Sequence, residues 1–389
     1  MKIASKNMLE LSAQQPFEQG KVHKKSYGKF LEDFETGKVF EHPRGMTLTS
    51  GFLHYFSTTF LEANPLYLNR EYARSLGHPE IPANPLLVFN IVLSLGVQNN
   101  SEKAYANLGY YNMHFLKPVY AGDTLRAFSL IADRKDRGPG KPGIVTLNTI
   151  GLNQKNERVI QYTRKIMVPP RPEGYEPPES LTSDQQIPPF TNEVELELPE
   201  FSHDKVPSTY TRTDTYYEDF KVGDTIISPN GRTITDEHFA LTYNVGNTHP
   251  LHFDKLYSQS LSGAMSGEPI VYGGLVFAWL SGLASRDISE NAYWDLGYTE
   301  GYHTQPSKSG ETVTVLHRVL AKEEPLPGIR AGAIQFQMIG LKDIRASDAL
   351  DKFGADLFIK ENDKKAMNKE KIPNKIFEIE RKLLIRCKK

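Results

Sequence analysis

One cysteine in 389 residues, Cys387 near the C-terminal end, rules out a disulfide framework and any thiolate metal site assembled within one chain. Charge of one sign is equally scarce. With 46 Lys and Arg against 47 Asp and Glu, no global field draws the chain to nucleic acid or to an anionic membrane. A phosphate-bearing ligand would need a local basic cluster. No apolar run approaches the ~18 residues of a membrane span, and Met1 to Lys25 lacks the apolar core of a signal peptide. These absences describe a soluble, cytoplasmic protein whose lone thiol is a bystander in a reduced compartment. A glycine-dense stretch, Gly138-Pro-Gly-Lys-Pro-Gly143, lacks the helix-opening Gly-Lys-Ser/Thr of a phosphate loop and reads as a hairpin connection.

Most of what is present is present twice. Leu31-Glu-Asp-Phe-Glu-Thr-Gly37 returns as Tyr217-Glu-Asp-Phe-Lys-Val-Gly223, Asn107-Leu-Gly-Tyr110 as Asp295-Leu-Gly-Tyr298, and Ile150-Gly-Leu152 as Ile339-Gly-Leu341. The offset grows only from 186 to 189 along the way, a period far too long for a solenoid and suited to a duplicated domain. Duplication frees one copy to lose its chemistry, so function is to be sought where the copies disagree. That place is Asn64-Pro-Leu-Tyr67 against His249-Pro-Leu-His252.

Each copy reads in the same order. A short strand leads to a helix with N-cap residues at its start, Thr49-Ser50 in one copy and Thr235-Asp-Glu237 in the other. A second helix, Leu86 to Gly96 or Gly273 to Leu283, is too apolar around its circumference to lie on a surface. Strand-like segments follow at 125–132, 144–152 and 159–168, and again at 312–320, 333–341 and 376–385. One buried helix wrapped by an antiparallel sheet is an α+β arrangement. The repeat divides the chain into an N-terminal domain, 26–168, with a degenerate site; a Pro-rich linker, 169–207; and a C-terminal domain, 208–389, carrying the motif and a charged insertion near 344–371 expected to be a solvated excursion.

The segment Asn247-Thr-His-Pro-Leu-His252, followed by Pro269-Ile-Val-Tyr-Gly-Gly274 at the mouth of the apolar helix, resembles the MaoC-like (R)-specific enoyl-CoA hydratase family. That family's pattern is Asp-x-Asn-Pro-(Leu/Ile)-His, then a Pro-Ile-(Val/Leu)-His-Gly-like turn. The resemblance implies a tandem double hotdog, two helix-and-sheet units packed as a pseudo-dimer with continuous sheets. It puts His252 on the catalytic histidine, Asn247 on the acidic position, His249 on the asparagine, and Tyr272 and Gly273 on the turn's His-Gly. Together with Ala106-Asn-Leu-Gly-Tyr110, the motif is most similar to the mesaconyl-CoA hydratase branch. The implied protein is a hydro-lyase, an enoyl-CoA hydratase or 3-hydroxyacyl-CoA dehydratase, with an acyl-CoA partner, no cofactor and a homodimeric assembly.

Elementary chemistry supports these roles. Adding water across an enoyl thioester needs a base, for which His252 has a suitable ordinary pKa near 6.5. It also needs a group to hold the water, for which Asn247 offers an amide, and donors for the enolate oxygen, which Gly273 and Gly274 supply at a helix N-terminus. His249 and Tyr272 are candidate substrate-positioning residues, with His249 either orienting Asn247 or capping a turn. The bland reading is a loop in which both histidines bond backbone, with the glycines serving only close packing. The histidine pair lacks a third metal ligand at recognisable spacing. Glu62, at the acidic position of copy one, faces Tyr67 where a base should stand and reads as solvated or structural. Alternatives from other classes are a 3-hydroxyacyl-ACP dehydratase, a non-catalytic acyl-CoA-binding hotdog protein, and a thioesterase, which needs a carboxylate on the apolar helix where Leu275 to Leu283 has none.

Overall fold

The computed structural model describes residues 25–175, 187–191, 193–201, 205–325 and 328–388. The start of the chain and parts of the expected linker (176–186, 192 and 202–204) lie outside the described residues. Twelve strands form one antiparallel sheet: β1 Val39–Glu41, β2 Met46–Thr47, β3 Ala106–Phe115, β4 Thr124–Lys135, β5 Gly143–Leu152, β6 Arg158–Val168, β7 Thr225–Ile227, β8 Arg232–Thr233, β9 Ala292–His303, β10 Thr312–Lys322, β11 Ala331–Lys342 and β12 Lys375–Arg386. Their order is β1-β4-β5-β6-β3-β9-β12-β11-β10-β7, with β2 on β4 and β8 on β10. The second half of that list repeats the first in reverse. The halves join where β3 pairs β9, Tyr110 opposite Gly301 and Met113 opposite Tyr298. The expected pseudo-dimer with continuous sheets is thus present, and joining the copies leaves neither inner edge open.

The helices are α1 Ser50–Thr59, α2 Arg70–Ser75, α3 Pro85–Leu95, α4 Glu237–Asn244, α5 Lys255–Gln259, α6 Gly273–Ala284 and α7 Ala346–Phe353. Every residue of α3 is buried, as is α6 from Gly274 onward. These are the two apolar helices expected from sequence, and they pack against each other through Phe89 and Phe277, whose rings lie 6.2 Å apart. Each buried Leu, Val or Phe there contributes about 1.5–3 kcal/mol of transfer free energy. Thr49 caps α1 by accepting from the Phe52 N–H. Asp236 does not cap α4, because its backbone is already helical and its carboxylate cannot reach back to the first turn.

The insertion after Asp343 is a solvated excursion only in part: its polar run is mostly exposed between Asn362 and Lys371, whereas its apolar residues pack on the sheet. Ala346, Ala349, Leu357 and Ile372 pack on Leu316, Ile339 and Leu341 of β10 and β11. Beneath them Lys364 and Lys375, both fully buried, pair with Glu361 at 2.7 Å and Glu378 at 2.6 Å. These buried charges are paired within the chain, which net composition could not reveal.

Candidate active site

Two matching 3-10 turns hold the segments on which the copies disagree. Pro65–Tyr67 is capped by Asn64, whose side-chain oxygen accepts from the Leu66 N–H. Pro250–His252 is capped by His249, whose Nδ1 accepts from the Leu251 N–H at 3.2 Å. The rest of the His249 ring meets the backbone of Ala104 in the N-terminal half. Asn64 does the same in mirror image, donating to the Ala292 carbonyl at 2.9 Å. Between the two readings of His249, the geometry matches the turn cap that also orients Asn247, because its backbone N–H donates to Asn247 Oδ1 at 2.9 Å. No protein acceptor is found for Asn247 Nδ2 among the described residues, and Asn247 lines a cavity of about 250 Å³ together with His252, Tyr272, Gly273 and His249.

His252 Nδ1 donates to the Ile270 carbonyl at 3.1 Å, which fixes the tautomer and leaves Nε2 with a free lone pair. Burial, reinforced by the neighbouring His249, pushes its pKa down to about 3. Burial holds His249 at about 4. Both rings are therefore neutral at physiological pH. Tyr272 stacks obliquely on His252, ring centroids 5.5 Å apart, and its buried hydroxyl makes no well-formed hydrogen bond.

The N-terminus of α6 is open where that of α3 is closed. In α3 the first residue is Pro85, which has no N–H, and Asn84 Oδ1 accepts from Leu86. In α6 the cap is Tyr272, which offers no side-chain acceptor, and the first residues are Gly273 and Gly274. Neither glycine N–H finds an acceptor among the described residues, so the dipole end of α6 faces the cavity unmet. Gly273 lines the cavity; Gly274 does not. A Cβ on Gly274 would lie 2.0 Å from Asn90 Oδ1, and its carbonyl accepts from Asn90 Nδ2 at 3.2 Å. Gly274 thus serves close packing of α6 on α3 as well as offering its N–H.

The opposite wall comes mostly from the N-terminal half. Asn107, Tyr110 and Arg164 of β3 and β6 line the same cavity, as does His303 of β9. His303 abuts Gly273, where a Cβ would meet its Nε2 at 2.5 Å, and lies 3.4 Å from the Tyr110 hydroxyl. Burial lowers its pKa to about 4. His303 and Arg164 were missed as site residues; a signal for His303 existed, since Phe115 occupies the equivalent place in copy one.

The mirror-image site is filled. Glu62, Asn64, Tyr67, Asn84, Asp295 and Arg381 enclose only about 10 Å³. Glu62 accepts from the Ala63 and Asn64 N–H groups and from Asn84 Nδ2, at 3.0, 2.8 and 2.8 Å, so its role is structural. Among the described residues no group of three or more His, Cys, Asp or Glu is placed to hold a metal ion, and no helix is long and apolar enough to cross a membrane.

Solved structures place the fold in a class. A putative MaoC domain protein dehydratase from Chloroflexus aurantiacus matches with a TM-score of 0.79 at 29% identity, over 95% of this chain and 100% of that one. A Mycobacterium tuberculosis protein with a double hotdog fold matches in fold, with a TM-score of 0.66 at 17% identity over 92% of this chain and 98% of that one. The architecture is that of the MaoC-like double-hotdog dehydratases.

Within that class the chain belongs to the mesaconyl-CoA hydratase family, whose family model matches residues 16–347. The mesaconyl-CoA hydratase of Cereibacter sphaeroides is 30% identical over 325 residues, covering 82% of this chain and 91% of that protein. The beta-methylmalyl-CoA dehydratase of Chloroflexus aurantiacus is 31% identical over 319 residues, covering 81% of this chain and 89% of that protein. The chain is an enzyme of the hydro-lyase type, adding or removing water across the double bond of an enoyl-CoA thioester.

Proposed function

We propose that the substrate is mesaconyl-CoA, a methyl-branched unsaturated diacid joined to CoA through one carboxyl, hydrated to β-methylmalyl-CoA or formed from it. His252 Nε2 takes a proton from water as the water oxygen bonds to the β-carbon. The displaced electron pair moves onto the thioester oxygen, which the free N–H of Gly273 at the cavity wall stabilises. The His252 imidazolium then returns the proton to the α-carbon, so water is added and the base restored. Asn247 holds the water through its amide, and His249 holds Asn247. Tyr272 supports the His252 ring rather than touching substrate through its hydroxyl.

The reading rests on one observation: His252 is held by the Ile270 carbonyl so that a neutral Nε2 shares a cavity with the uncapped start of α6. The test is to incubate the purified chain with a panel of enoyl-CoAs, mesaconyl-CoA and crotonyl-CoA among them, and follow the loss of conjugated-thioester absorbance. Mesaconyl-CoA is expected to be turned over fastest. Hydration of crotonyl-CoA alone would leave the reaction class intact and remove the substrate assignment. We further propose that the chain divides into working units at 26–168 and 208–389, since β1–β6 fall in the first and β7–β12 in the second.

A further inference from the structure

Two buried arginines at equivalent positions meet opposite electrostatic surroundings. Arg381 of β12 is 6% exposed. Its Nη2 lies 2.9 Å and its Nε 3.0 Å from Asp295 Oδ2. The Tyr298 hydroxyl donates to that same oxygen at 2.8 Å, and the Gly297 N–H donates to the other oxygen at 3.2 Å. A guanidinium, a phenol and a backbone amide thus enclose one carboxylate. That carboxylate belongs to the chain, and the surrounding site has no room for anything else.

The same frame stands in the open cavity without its anion. Tyr110 lies opposite Arg164 in the β3–β6 pairing as Tyr298 lies opposite Arg381 in the β12–β9 pairing. The position of Asp295 is taken by Asn107, which is neutral and makes no well-formed side-chain hydrogen bond. Arg164 is 8% exposed, its Nε has no acceptor, and no ion pair reaches it among the described residues. A guanidinium does not shed its proton in a protein, and a buried cation without a counter-charge is strongly disfavoured. A ligand that brings the missing anion resolves this, and Arg164 lines the cavity that also holds His252 and Gly273.

We propose that Arg164, with Tyr110, is the receptor for a free carboxylate on the acyl group of the substrate, which supplies the counter-charge that Asp295 supplies in the filled site. The substrate class is then a dicarboxylic acyl thioester, and Arg164 is a specificity-determining residue anchoring the end of the acyl chain away from the sulfur. This deepens, and rests on, the reading of the cavity as the hydratase site. A carboxylate fits better than a phosphate of CoA, because the mirror-image occupant is a carboxylate and because Arg164 shares the cavity with the reacting groups. Asn107 is the change that removes the internal anion at nearly constant side-chain volume, while Asp295 shows what neutralises the arginine otherwise.

The experiment compares binding of two saturated, unreactive thioesters, succinyl-CoA and butyryl-CoA, which differ by a terminal carboxylate in place of a methyl. Calorimetry on the wild-type chain is expected to give at least a 10-fold preference for succinyl-CoA, the size of a charge-assisted hydrogen-bonded pair. Arg164→Gln should bring that ratio to about one. Asn107→Asp should do the same by rebuilding the internal pair of the filled site, and it adds no uncompensated charge, so it remains informative if Arg164→Gln does not fold. Equal weakening of both ligands in Arg164→Gln, or no preference in the wild type, overturns the proposal. A wild-type preference that both variants abolish, in a protein that hydrates no enoyl-CoA, would uphold the receptor and sink the hydratase reading.

Discussion

At the scale of residues, the disagreement between copies pointed to His252 and Asn247, and the structure brings both to one cavity. His252 and Asn247 were legible because Tyr67 and Glu62 stand in their places. The tautomer of His252 was not, since it depends on the Ile270 carbonyl 18 residues away. Arg164 went unread for a different reason. Its meaning lies in a missing partner, and the Asn107/Asp295 difference was visible only as a repeat landmark until the pairing of β3 with β6 brought Asn107 and Arg164 to one wall. Replacing Asn247 by Ala is expected to lower kcat about 100-fold with a smaller change in KM, because holding water matters most in the transition state. A rise in KM at unchanged kcat would instead make Asn247 a binding residue. Because burial holds His252 neutral down to about pH 3, hydration should not lose its base between pH 8 and pH 5; a limb of kcat falling with a midpoint near 6.5 would contradict that environment.

At the scale of elements, the two apolar helices were readable from their unbroken hydrophobic runs, and six of the strands from theirs. The strands that join the halves, β3 and β9, were not read. Their alternation is interrupted by Gly109 and Asn112, both at positive φ, and by Gly297 at φ 131°. Register shifts accompany them, between Asn107 and Gly109, Tyr111 and His114, and Lys382 and Leu383, and such bulges erase the period-two signal. The contrast between the ends of α3 and α6 was half legible: Gly273-Gly274 stood out, whereas the closing of α3 by Asn84-Pro85 gained meaning only as its counterpart. Farther along α6, Gly282 lets α1 approach so closely that a Cβ would lie 1.6 Å from the Phe60 carbonyl oxygen. Gly282→Ala is expected to destabilise the fold by about 1–3 kcal/mol through overpacking, seen as a lower unfolding midpoint in urea. An unchanged midpoint would mean that α1 and α6 are looser than the structure indicates.

At the scale of the whole molecule, burial pushes His42, His78, His238, His249 and His303 to about 4, and His252 and His317 to about 3. Their unfolded values lie near 6.5. The unfolded chain therefore binds more protons between about pH 6.5 and pH 4, and stability must fall as pH falls through that window, by about 1.4 kcal/mol per pH unit for each proton taken up. Glu62, Glu102, Glu290 and Asp295, raised by burial, act in the opposite direction near their own titrations. They are fewer and begin from lower pKa values, so a net loss remains. Thermal unfolding at pH 7 and pH 5 should show a marked drop in Tm at the lower value, and equal Tm values would contradict the buried, neutral histidines. The larger claim is that duplication left one working cavity, built from both halves, and one filled with its own side chains. Its most direct test is the rate of mesaconyl-CoA hydration by the wild type, His252→Ala and Tyr67→Phe, each checked for retained fold by circular dichroism. The account predicts a loss of about 10²–10⁴-fold for His252→Ala and a near wild-type rate for Tyr67→Phe; similar losses in the two variants would contradict it.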